Sequence, residues 1–76
     1  MKQANISLTV ARLDGRTIQV IRSRKTKRIF NFIQRKEFSD CLFKVSVTYS
    51  NGLKNETNKQ AKETVMKTLK IFLEKD

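Results

Sequence analysis

The sequence predicts an α+β fold, a mainly antiparallel four-stranded sheet with two helices on one face in the order ββαββα. Three observations predict it. Two stretches alternate apolar and polar residues on either side of a glycine, two others repeat apolar residues at helical spacing, and each alternating stretch precedes a helical one. At 76 residues the chain suits one domain, residues 1–76, with a thin core.

The first hairpin surrounds Gly15, with Ile6, Leu8 and Val10 before it and Ile18, Val20 and Ile21 after it. A two-residue Asp14-Gly15 loop would pair Leu8 with Ile21 and Val10 with Gln19, placing Ile18 and Val20 on the face opposite Leu8 and Val10. A three-residue loop, Leu13-Asp14-Gly15 with the glycine left-handed, pairs Val10 with Ile18, Leu8 with Val20 and Ile6 with Arg22. This register keeps the apolar set together and is the one expected.

The second hairpin alternates from Phe43 to Tyr49 and turns at Ser50-Asn51-Gly52. The same loop type pairs Tyr49 with Leu53 on the core face, Val47 with Asn55 and Val45 with Thr57. The polar return, from about Leu53 to Thr57, reads as an edge strand. The open face of the sheet should then show Ser7, Thr9, Ala11, Thr17, Gln19, Ile21, Lys44, Ser46 and Thr48, with no aromatic ring on which a base could stack.

A helix is predicted over Lys59 to Lys75, where Ala61, Val65, Leu69, Phe72 and Leu73 form one stripe with Met66 at its border, and Thr57 with Gln60 fits a capping box. A second helix is predicted from Arg24 to about Phe38, with Ile29, Phe32 and Ile33 inward and Ser23 as N-cap. Phe30 falls off that stripe and is expected to be exposed. Phe30 and Phe32 also alternate, so a strand from Arg28 to Ile33 is the alternative. Leu8 aligns with Val45, Gly15 with Gly52 and Phe32 with Leu69 at an offset of 37, which suggests two ββα units. The expected core draws on Ile6, Leu8, Val10, Ile18, Val20, Ile29, Phe32, Ile33, Phe43, Val45, Val47, Tyr49, Val65, Leu69 and Phe72. Cys41 shares the phase of Phe43 and reads as a small buried hydrophobe.

Composition narrows the function. With no His and one Cys, the chain cannot build a Cys and His zinc site, a Ser-His-Asp triad, a Cys-His pair or an internal disulfide. Its seven carboxylates are scattered, whereas acid–base catalysis needs groups that converge. No catalytic residue, metal, cofactor or small-molecule substrate is therefore expected. Apolar runs reach only three residues and the start, Met1 to Asn5, carries no secretion or myristoylation signal, so a cytoplasmic chain without a transmembrane segment is expected.

The charge is uneven. Residues 1–38 hold ten basic and two acidic residues (+8), while residues 39–76 hold seven and five (+2). Arg22, Arg24, Lys25, Lys27, Arg28, Arg35 and Lys36 crowd one segment, a density that attracts a phosphate backbone, DNA or RNA, and releases its counterions. Cations at a helix N-terminus also oppose the helix dipole, a conflict that bound phosphate relieves, so Lys25, Lys27 and Arg28 are the expected contact cluster. Two alternatives stand beside nucleic acid. One is a protein-interaction or accessory module, such as a homodimer, and the other lays the Arg24 to Phe38 helix on an anionic membrane with Phe30 and Phe32 inserted.

The second hairpin with the opening Lys59-Gln60-Ala61-Lys62-Glu63 of its helix resembles the arm-type DNA-binding domains of phage and transposon integrases over less than half of the chain. The resemblance implies strands that enter a DNA groove. It departs at Lys54-Asn55-Glu56-Thr57, where that family would place a basic strand.

Overall fold

The computed structural model describes residues 4–74. The elements are β1 (Ala4–Ala11), β2 (Thr17–Ser23), α1 (Thr26–Ile33), a 3-10 turn over Lys36–Phe38, β3 (Leu42–Tyr49), β4 (Lys54–Glu56) and α2 (Lys62–Glu74). The four strands form one antiparallel sheet in the order β2-β1-β3-β4. This is the predicted ββαββα fold.

The two central strands fix the core. β1 and β3 pair Val10 with Phe43, Leu8 with Val45 and Ile6 with Val47, so six apolar side chains share one face. Ile29, Phe32 and Ile33 of α1 and Val65 and Leu69 of α2 close over them. Burying a β-branched or aromatic side chain of this kind contributes roughly 1.5–3 kcal/mol.

The second hairpin adopts the predicted register. Val47 lies opposite Asn55, Tyr49 N–H donates to Leu53 O at 2.8 Å, and Thr57 N–H donates to Val45 O at 2.9 Å. Gly52 takes the left-handed conformation, φ 88°, that the loop requires. Leu53 is not on the core as expected but 66% exposed. It precedes β4, which begins at Lys54, and the Tyr49 side chain meets Phe72 and Asn55 through its hydroxyl rather than packing on Leu53.

The first hairpin has the predicted three-residue loop and a different register. Arg12 N–H donates to Arg16 O, Gly15 N–H to Arg12 O, and Gly15 has φ 91°. Ala11 then faces Thr17 while Val10 faces Gln19, so Ile18 is an extra residue in a bulge. One inserted residue reverses the alternation. Leu8 faces Ile21 and Ile6 faces Ser23, which corrects the expected pairs with Val20 and Arg22. Ile18 and Val20 leave the expected core for solvent, at 39% and 48% exposure, and Ile21 packs inward in their place. Ala11, expected on the open face, is buried, and so is Phe38, which is not in the expected core.

Both helices are shorter than predicted, for local reasons. α1 begins at Thr26 because Ser23 Oγ accepts the Lys25 N–H, making a turn before the helix rather than capping it. It ends at Ile33, and the extended backbone of Arg35 redirects the chain so that the 3-10 turn can bury Phe38. The strand alternative for Arg28 to Ile33 falls away. α2 begins at Lys62 because the expected capping pair serves the sheet. Thr57 Oγ1 accepts the Val45 N–H at 3.1 Å, and Gln60 exchanges two backbone hydrogen bonds with Phe43. The predicted end at Lys75 lies outside the described residues. Phe30, expected exposed, is half-buried against the core, and Cys41, Tyr49 and Phe72, expected buried, are half-buried as well.

Candidate nucleic-acid interface

β2 is an edge strand, and α1 leans over its inner face without closing on it. Between them lies an open cleft of about 580 Å³. The reversed register supplies one wall, since Gln19 and Ile21 face the helix side rather than the open sheet face. Asn31 and Phe32 of α1 supply the other, and Lys25, Lys27, Arg28 and Arg35 complete the lining. Four of the seven cations singled out from the sequence therefore converge on one cleft, and no acid lines it.

Local structure sharpens that charge. Lys25 occupies the N-cap position with no side-chain capping bond, and the first turn of α1 contains no acid. The amides of Thr26, Lys27 and Arg28 precede the first intrahelical bond, from Ile29 N–H to Lys25 O, so they remain available to an anion. Among the described residues none of the four cleft cations forms an ion pair. The pair that does form, Lys54 with Glu56 at 3.7 Å, lies on β4. Arg35 holds its guanidinium over the ring of Phe32, 4.7 Å from the centroid.

The remaining three predicted residues stand elsewhere. Arg22 projects from the open sheet face, where it lines a shallow depression with Ser7, Lys44, Ser46 and Thr48. Arg24 donates through Nε to Asn5 Oδ1 at 2.9 Å, between β1 and β2. Lys36 belongs to the 3-10 turn and is outside the cleft lining. Gln19, Ile21, Asn31 and Phe32 were not among the sequence-derived candidates. The two-residue-loop pairing would have revealed Gln19 and Ile21, because it puts both on the helix side.

Among the described residues no three Cys, Asp or Glu side chains come together as a metal site, and no helix is long and apolar enough to cross a membrane. No family model, curated protein or solved structure matches this chain. No match supports the resemblance to arm-type domains.

Proposed function

We propose that this protein is a small basic nucleic-acid-binding or nucleic-acid-associated module that makes mainly phosphate-backbone contacts, acting in the cytoplasm, where a lone thiol such as Cys41 stays reduced. One observation carries the reading. Lys25, Lys27, Arg28 and Arg35 gather around one cleft beside uncapped helix amides, with no acid in its lining. Such a cluster attracts DNA or RNA at long range and gains from counterion release at contact.

The test is a matched pair of triple variants. Replacing Lys25, Lys27 and Arg28 with Gln should weaken binding to nucleic acid and lower the salt slope by roughly two to three units. Replacing Lys62, Lys67 and Lys70 of α2 removes the same formal charge and should do less. Equal losses would mean diffuse attraction, and no binding by the parent at about 50 mM salt would overturn the reading.

A second reading, a protein-interaction module that dimerises, rests on β2 as an uncovered edge with Ile18 and Val20 exposed. It predicts a concentration-dependent dimer in light scattering that Val20→Lys abolishes.

A further inference from the structure

The cleft holds more than positive charge. Phe32, beneath the guanidinium of Arg35, packs on Phe38 with ring centroids 5.2 Å apart, and Phe38 meets Phe43 edge-on at 6.5 Å. Phe43 is fully buried in β3. The guanidinium is thus anchored through three rings to the middle of the sheet, and a planar cation held this way loses little freedom when a second planar group lands on its outer face. Gln19 and Asn31 line the same cleft, and their side-chain amides can both donate to and accept from a base edge.

We propose that the cleft takes one unpaired nucleobase of a single strand, stacked on Arg35, with the flanking phosphates on Lys27 and Arg28. The inference rests on the nucleic-acid reading above and narrows it from backbone contact to a single-stranded target. A base inside a duplex shows its edges and hides its faces against its neighbours, so it has no face to offer Arg35. On the open sheet face Ser7, Thr9, Lys44, Ser46 and Thr48 carry no ring, and Arg22, which lies there, has no aromatic ring beneath it among the described residues, unlike Arg35 over Phe32. The ring-backed guanidinium therefore makes the cleft the favoured place for a stacked base.

Arg35→Lys tests the inference because it keeps the charge and removes the plane. Fluorescence anisotropy with a short labelled DNA strand, and with the duplex of the same sequence, supplies the two arms. The parent should prefer the single strand, and the variant should bind that strand roughly tenfold more weakly with an unchanged salt slope and unchanged duplex affinity. A thermal midpoint equal to the parent's establishes that the variant is folded, and Arg35→Gln repeats the measurement with the charge also removed. Binding of neither probe by the parent overturns the nucleic-acid reading and this inference with it. Equal affinity of the parent for both probes, or an Arg35→Lys variant indistinguishable from the parent on the single strand, overturns this inference alone.

Discussion

The two ββα halves of the molecule share an element order and differ in how they finish their outer edge. In the second half the edge strand is tied down by side chains. Tyr49 Oη donates to Phe72 O at 2.8 Å and accepts from Asn55 Nδ2 at 3.0 Å, tying β3, β4 and α2 together. Thr57 and Gln60 add bonds to β3 just beyond a β4 of only three residues. In the first half β2 runs seven residues, and between it and α1 is the cation-lined cleft. The half that carries +8 is the one with the cleft, whereas the half near +2 is tied together by its own side chains. The same element order thus carries two different edges, one tied by side-chain hydrogen bonds and one bordered by a cation-lined cleft.

Core truncations probe what the halves have in common and should have the largest effect. Leu69→Ala in α2 and Ile29→Ala in α1 both empty fully buried positions, and each should lower unfolding free energy by about 2–4 kcal/mol. Denaturant melts of the two would set the comparison. A loss below about 0.5 kcal/mol for Ile29→Ala alone would mean that the half with the cleft is not packed as described.

The glycine turns come next. Gly15 and Gly52 both have positive φ, and a Cβ at either meets nothing within 4 Å, so the penalty of Val there is conformational rather than steric crowding. Each substitution should cost about 1–2 kcal/mol in thermal or denaturant unfolding. Clearly unequal losses would separate the two loops despite their shared geometry.

Tyr49→Phe should cost about 1 kcal/mol, since it removes both hydrogen bonds of its hydroxyl while keeping the ring. Hydrogen exchange should report faster opening of β4 and the end of α2, with β2 unaffected. The smallest effect belongs to Val20→Thr. At a half-exposed edge site it should change stability by less than about 0.5 kcal/mol, and a loss above about 1 kcal/mol would restore the register in which Val20 is core.

That register shows where sequence reasoning stopped. The alternation of Phe43 to Tyr49 and the position of Gly52 were enough to place every pair of the second hairpin, because its strands contain no irregularity. Around Gly15 the same logic located the loop and missed the bulge at Ile18. A run such as Thr17-Ile18-Gln19-Val20-Ile21 has apolar residues in both phases, so either face can be the inner one, and tertiary packing of Ile21 under α1 decides. The start of α2 differs from the expected one because Thr57 and Gln60 fit a cap as well as they fit a sheet edge, and only the proximity of β3 distinguishes the two. The cations of the site were legible as a cluster along the chain. Which of them share a cleft was not, since that depends on the helix ending at Ile33 and on Arg35 folding back over Phe32.

The order of strands also sets how this chain must fold. β1 sits in the middle of the sheet, but its inner partner β3 arrives late, with Ala11 paired to Leu42 and Ala4 paired to Tyr49, 45 positions away. The first hairpin is local and quick to form, yet half of the edge of β1 and most of its apolar face stay uncovered until β3 docks. Closing so long a loop before the reward of burial arrives slows the search and raises the contact order. A chain emerging from a ribosome would therefore hold its first half uncommitted at least until about Tyr49 is free, and complete its core only when Val65 and Leu69 of α2 follow. A fragment ending near Asp40 should remain largely unstructured on its own.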